Sequence, residues 1–330
     1  MRDYAPLSKF IRRHRRFLVT THLFPDGDGL GSALALASGL RRLGRAAEIV
    51  VPSPVPARYA FLAPAGELAS WPAEPDPAGL ASFDAAFVLD CGDLKRLAGL
   101  GRILPGSGLE LACVDHHGGY TGFANVGLLD PGAAATAEMV HELLHEQFGL
   151  EPDPASARAL YVALVTETGG FQYSNTTASV LALASRLIEA GADPDAINVE
   201  LNQRNPVSKL RLLARALATL ELGAGGKMAW VALGPEAFAE TGATADDTIG
   251  LVDHPRSLDG VELALMFFED EPCSVKLSFR SKAWLDCSRL ARQVGGGGHP
   301  RAAGALLEMP LAEAVRRVTE AGARALEEGV

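Results

Sequence analysis

The chain has 330 residues, more than one core of ordinary size requires and enough for two domains. It is 48% hydrophobic and 21% charged, which excludes a disordered polymer. A formal net charge of −10 argues against a non-specific grip on long duplex nucleic acid, so any nucleic-acid partner should be short or held only locally.

The basic run Arg12, Arg13, Arg15 and Arg16 precedes an apolar stretch in the manner of a secretion signal, but Thr20, Thr21 and His22 interrupt that stretch too early. No segment approaches the ~18 apolar residues needed to cross a membrane. Cys91, Cys113, Cys273 and Cys287 lack paired spacing and read as free thiols of a reduced, cytoplasmic protein.

Phe17 to Thr21 reads as a strand. It runs into the turn His22-Leu23-Phe24-Pro25-Asp26-Gly27-Asp28-Gly29, after which Leu30, Ala33, Leu34, Ala37 and Leu40 recur at helical spacing. Further strands are expected over 46–51, 85–89 and 109–114, the last two ending at Asp90 and at Asp115-His116-His117. Helices should cover 136–148, 155–165 and 178–190. This alternation predicts an α/β fold, a parallel sheet with helices on both faces. Ligands bind such sheets beyond the carboxyl ends of the strands, and here three strands end in Asp or His.

Asp193-Pro194 opens a helical stretch to Gln203, and Pro206 another to about Leu222, before the break at 223–226. Strands over 227–233, 261–269 and 274–280, the glycine run 295–298 and an amphipathic helix over 310–328 describe a smaller α+β domain. The expected division is a metal-binding catalytic domain over 1–192, a helical linker over 193–225 and a substrate domain over 226–330. Between Lys276 and Arg301 six basic residues face Asp286 alone, a local charge of +5. An acidic and imidazole cluster in one domain and a positive segment in the other suit a substrate that carries phosphate next to a metal.

The candidate metal ligands are His22, Asp26, Asp28, Asp90, Asp115, His116 and His117. Oxygen and imidazole donors without thiolate suit manganese or another hard to borderline divalent ion. Several carboxylates can neutralise two cations with one carboxylate bridging, and two cations ~3.5–4 Å apart activate a shared water for in-line attack on phosphorus. Asp28 by itself also reads as a helix N-cap.

The order His22-x-x-x-Asp26-x-Asp28, then Asp90, then Asp115-His116-His117 resembles the DHH phosphoesterase superfamily. Phe279-Arg280-Ser281-Lys282, followed by Gly295-Gly296-Gly297-Gly298-His299 and Ala302-Ala303-Gly304, is similar to its associated substrate domain of the first type. In length and domain content the chain looks most like the short bacterial branch, the nanoRNase and pAp phosphatase enzymes. The resemblance implies a cofactor of two divalent cations, manganese by preference. His22 and Asp26 would hold one, Asp28 and His116 the other, and Asp90 would bridge them. Asp115 and His117 would be the catalytic pair facing substrate. Arg280, Ser281, Gly297, Gly298 and His299 would bind it, with Arg96 as a further phosphate contact. A fourth motif, normally Asp in a Thr-Asp-Thr-Gly context, reads Thr166-Glu167-Thr168-Gly169, so Glu167 becomes the sixth metal candidate and a departure from the pattern.

The implied activity is hydrolysis of short oligoribonucleotides to mononucleotides and of pAp to AMP. The partners are then short single-stranded RNA or a small nucleotide, with neither long duplex nor membrane, and the resemblance also admits a homodimer. One alternative substrate is a cyclic or linear dinucleotide of the c-di-AMP or pApA type. An alternative of another class is a nucleotide-binding protein with weak activity because of Glu167. Two further motifs lead elsewhere. His141-Glu142-x-x-His145 matches a zinc-protease helix but lacks its third ligand and reads as a solvated helix face. Gly27-x-Gly29-x-Gly31 has the wrong spacing for a dinucleotide loop.

Overall fold

The computed structural model describes residues 2–64, 66–71 and 74–329, and the chain divides into two compact units, Met1–Arg204 and Asn205–Val330. The first unit holds helix α1 (Ala5–Arg13), strand β1 (Arg16–Thr20), α2 (Gly27–Arg42), β2 (Ala46–Val51), β3 (Leu68–Ser70), β4 (Ala85–Leu89), α3 (Ala98–Ile103), β5 (Glu110–Asp115), β6 (Val126–Leu129), α4 (Thr136–Phe148), α5 (Pro154–Glu167), α6 (Ala178–Glu189) and α7 (Pro194–Asn202). Its strands form one parallel sheet in the order β3-β2-β1-β4-β5-β6. The chain winds outward in one direction from β1 and in the other from β4. The crevice above these two neighbours is therefore the point where the winding reverses, the ordinary ligand position of a doubly wound sheet.

Side-chain alternation along the strands builds two cores. Phe17, Val19, Phe87 and Val114 face Phe10 of α1, Leu36 of α2, Leu143 of α4 and Leu160 of α5. Leu18, Val50, Ala86 and Val88 face the opposite way, onto Leu97, Leu100 and Leu104. Helices thus cover both faces, as expected. The α2 and α5 backbones run very close. A Cβ at Gly27 would lie 2.5 Å from Thr166 Oγ1, and one at Gly31 would lie 2.3 Å from the Ala159 carbonyl oxygen. Gly27 and Gly31 form a helix-packing seam, while Gly29 packs on Thr21 just after β1, where a Cβ would lie 2.3 Å from Thr21 Oγ1. Because the clash at residue 31 is with backbone, Gly31→Ala should cost about 2–3 kcal/mol, read as a lowered Tm in thermal denaturation.

The second unit contains α8 (Val207–Ala218), β7 (Glu221–Gly223), β8 (Met228–Leu233), α9 (Pro235–Thr241), α10 (Asp253–Ser257), β9 (Leu263–Glu271), β10 (Ser274–Ser281), α11 (Cys287–Gln293), β11 (Gly297–His299), β12 (Ala302–Glu308) and α12 (Leu311–Glu328). Its mixed sheet runs β11-β12-β10-β9-β8-β7, with β8 and β9 parallel. Met228, Leu265, Phe267, Leu277 and Phe279 pack with Leu290, Val318 and Leu326. The other face packs Val231, Ala264 and Met266 against Leu212 and Ala216 of α8.

Residues 193–225, read from sequence as one linker, divide between the units at Arg204. The helix expected to reach Leu222 stops at Ala218. Thr219 Oγ1 donates to the Ala216 carbonyl and accepts from Ala232 N, and the chain turns into edge strand β7. Strands β3 and β6 were not expected; three or four residues are too few to display a period.

Candidate metal centre

The turn after β1 is fixed at several points. Leu23 N donates to the Arg96 carbonyl at 2.7 Å and Phe24 N to Ser53 Oγ at 2.8 Å. Asp26 is the N-cap of α2, accepting from Asp28 N and Gly29 N at 3.0 Å each. The cap is thus Asp26 and not Asp28, which lies in the first helical turn and is fully buried. Asp28 reaches across to the start of α4, whose own N-cap residue, Ala135, has no side chain for the task. Its Oδ2 accepts from Thr136 N at 2.7 Å and its Oδ1 from Ala137 N at 3.0 Å and Ser32 Oγ at 3.1 Å. The helix N-terminus and these three donors favour an anionic carboxylate.

Asp90 follows β4 with a positive φ of 56°, a strained placement for a non-glycine residue, while its N–H still extends the ladder to the Val114 carbonyl. Its two oxygens face different partners. Oδ2 lies 3.5 Å from His22 Nε2, and Oδ1 lies 3.5 Å from His116 Nε2, 3.3 Å from His117 Nδ1 and 3.1 Å from Thr136 Oγ1. His22 Nε2 is 3.6 Å from Asp26 Oδ2, and His116 Nε2 is 3.6 Å from Asp28 Oδ2. Among the described residues of the first unit, three groups have ligand atoms within 4.8 Å of one another: His22, Asp26 and Asp90; Asp28, Asp90 and His116; Asp90, Asp115 and His117. Asp90 is common to all three.

The donor set fits divalent cations. Separations of 3.5–3.6 Å are long for a hydrogen bond, but two donors each ~2.1 Å from one cation lie about 3–3.5 Å apart. His22 Nε2, Asp90 Oδ2 and Asp115 Oδ2 are buried with no hydrogen-bond partner among the described residues. In each of His22 and His116 the Nδ1 is occupied, on the Leu23 carbonyl at 2.8 Å and the Ala133 carbonyl at 3.2 Å. That leaves Nε2 as the ligating nitrogen.

The electrostatics agree. Burial opposes charge on His22, but Asp26 and Asp90 outweigh it and push its pKa up to about 10. Burial and then the charges of Asp90 and Glu167 outweigh the backbone donors of Asp28 and hold its carboxyl well above its ordinary value, whereas burial of Asp90 is overcome by His117 and His22, which hold it well below. The excess negative charge that draws a proton to an imidazole here would equally draw a divalent cation. His117 is pushed up to about 11: burial opposes this, and the Asp115 and Asp90 carboxylates prevail. Its Nδ1 lies 2.8 Å from Asp115 Oδ1.

Glu167, the C-terminal residue of α5, reaches the same place. Its Oε2 lies 3.8 Å from His116 Nε2, although it joins none of the three-ligand groups. Asn175 Nδ2 bonds the Glu167 carbonyl at 3.1 Å and the Ala134 carbonyl at 3.2 Å, tying the end of α5 to the entry of α4. The helix starting at Ala178 is capped by Thr177, so Asn175 is free of that role. Arg96 contributes its carbonyl to the ligand turn, while its side chain is exposed.

In the second unit, alternation along β10 separates two neighbours. Ser281 shares the inner face with Val275, Leu277 and Phe279, is 1% exposed, and donates to the Pro300 carbonyl. That bond ties β10 to the glycine hairpin. Arg280 lies on the outer face with Lys276 and Ser278. Gly298 has φ 140°, and a Cβ there would meet the Ala302 carbonyl at 2.5 Å, so strand packing demands this glycine. Gly297 has open space where its Cβ would be, and His299 closes the β11 pairing opposite Ala302.

Comparison with known proteins decides the family. The model of the DHH family N-terminal domain matches residues 16–165, and that of the DHHA1 domain matches residues 227–328. A bifunctional oligoribonuclease and PAP phosphatase NrnA from Thermus thermophilus is 34% identical over 304 residues, covering 92% of this chain and 88% of the relative. The chain belongs to the DHH family of phosphoesterases. Among solved structures, an exopolyphosphatase-related protein from Bacteroides fragilis superposes with a TM-score of 0.89 at 25% identity, covering 98% of this chain and 95% of that one. Thermus thermophilus RecJ in complex with Mn2+ shares the fold, with a TM-score of 0.58 at 19% identity over 97% of this chain and 54% of RecJ.

The protease-like motif of this DHH chain is accounted for otherwise. His141 is buried, a correction to the solvated face expected, and its ring stacks on His145 at 5.8 Å between centroids. Glu142 is bound to Arg2 and Tyr4, and His145 to Glu151. No three-ligand group among the described residues includes either histidine. His141→Ala should therefore retain the full cation content of the wild type by elemental analysis.

Proposed function

We propose that this DHH phosphoesterase hydrolyses short oligoribonucleotides to mononucleotides, and pAp to AMP, with two divalent cations held across Asp90. The observation that carries the reading is the sharing of Asp90 among the ligand groups at the reversal point of the sheet. The NrnA relative and the manganese of RecJ support the substrate class and the metal. In the proposed assignment His22 and Asp26 hold one cation and Asp28 and His116 the other. Bound there, the cations would lower the pKa of a shared water and neutralise charge on the phosphate.

The chain's own groups orient the rest. His117, braced on Asp115 through Nδ1, offers its Nε2 proton to a phosphate oxygen. Arg280 offers a planar fork for a second phosphate, and the open face of Gly297 admits close approach of its backbone. Phosphate contacts read no base sequence, so base preference should be weak. Turnover of a ribodinucleotide, pAp and a cyclic dinucleotide, measured side by side with manganese, tests the proposal. Faster hydrolysis of the cyclic compound would move the assignment to cyclic dinucleotides. Binding of all three without hydrolysis would leave a nucleotide-binding protein.

A further inference from the structure

Phe24 stands between two proposed ligands of one cation, two residues after His22 and two before Asp26. It is 74% exposed, more than any other large hydrophobic residue among those described. Its φ is 55°, in the left-handed region that glycine occupies freely and a bulky side chain does not. The strained backbone is fixed rather than loose, since Phe24 N donates to the buried hydroxyl of Ser53 at 2.8 Å and the preceding N–H is bound to the Arg96 carbonyl. An aromatic ring therefore projects into water from a rigid, strained turn, and it does nothing for the core. A scattered surface phenylalanine needs no explanation; one that combines exposure, strain and two flanking ligands does.

We infer that Phe24 is a stacking platform for a nucleobase, and so a substrate-positioning residue for the phosphate held at the cations. This rests on the proposed nucleotide substrate and adds to it. At most about 7 Å of backbone separates residue 24 from either ligand, so the ring belongs to the ligand turn itself. Every base has a π face, and stacking on an aromatic ring is tolerant of sequence. That matches a site whose other contacts are to phosphate. The ring confers preference for a phosphodiester that carries bases over one that does not.

The test compares kcat/KM for a ribodinucleotide with that for its doubly abasic counterpart, using the full-length manganese-loaded protein. The ratio should fall about tenfold in Phe24→Ala, mainly through KM for the dinucleotide, and return in Phe24→Trp but not in Phe24→Leu. An unchanged ratio in Phe24→Ala, or full rescue by leucine, overturns the inference while leaving the phosphoesterase assignment intact. Equal losses on both substrates with weakened manganese binding, read by calorimetry, make Phe24 a prop for the ligand turn and overturn it too. A wild-type protein inert on the dinucleotide and on pAp removes the nucleotide substrate itself, and the stacking role with it.

Discussion

Asp90→Ala should bind neither cation stably and should lose at least about a thousandfold in kcat/KM, because metal assistance is worth several kcal/mol at the transition state. The argument is geometric. Each carboxylate oxygen of Asp90 faces a different imidazole, Oδ2 toward His22 and Oδ1 toward His116. No other residue belongs to both of those ligand groups, so its loss opens both at once. The fold should survive. The cation-free protein buries Asp28 and Asp90 together, and removing one charge relieves repulsion that helps to hold the Asp28 carboxyl far above its ordinary value. Calorimetry with manganese and thermal denaturation with and without it separate these effects. The wild type should gain Tm on loading and the variant should not. A variant that stays active and binds manganese fully would end the shared-ligand assignment.

Much of this site could be read from sequence because its parts are local. An apolar β run that leads into His or Asp is visible over a few residues: β1 is followed two residues on by His22, β4 directly by Asp90, and β5 ends at Asp115. Order within the sheet is not local. That β1 lies beside β4, which brings His22 to Asp90, depends on the long connection through β2 and β3. Thr136 and Ala137 escaped notice for the same reason. Their N–H groups hold Asp28 from 108 and 109 residues away, and the one signal is negative: Ala133-Ala134-Ala135 before α4 contains no capping side chain. Asn175 shows a related limit. Its pattern beside Thr176 and Thr177 suits a cap, and only the tertiary fold reveals that its amide joins α5 to α4. Ser281 shows another limit: motif position placed it beside Arg280, yet adjacent residues in a strand face opposite sides, and its hydroxyl bonds the Pro300 carbonyl.

Glu167→Asp should lower activity 10- to 100-fold, the usual cost of disturbing a group that orients a metal ligand, and should raise the manganese concentration needed for half-maximal rate. By the family pattern alone, restoring aspartate should improve the site. The backbone argues otherwise. The α5 helix is pinned to α2 where Gly27 meets Thr166 and Gly31 meets Ala159, and its end is fixed by Asn175 on the Glu167 carbonyl. It has no freedom to advance toward the centre. From that fixed position the longer side chain already reaches to 3.8 Å from His116 Nε2, and shortening it by one methylene withdraws the carboxylate by about 1.5 Å. Its placement among charges is intimate as well: burial, then Asp26 and Asp90, push its pKa up to about 8 in the cation-free chain. A carboxylate so placed should take part in neutralising bound cations. Steady-state kinetics over a manganese titration decides the matter. A loss in both kcat and manganese affinity means that this chain has matched the longer residue to its helix. A gain would mean that Glu167 holds the enzyme back, and would favour the reading of a nucleotide binder with weak activity.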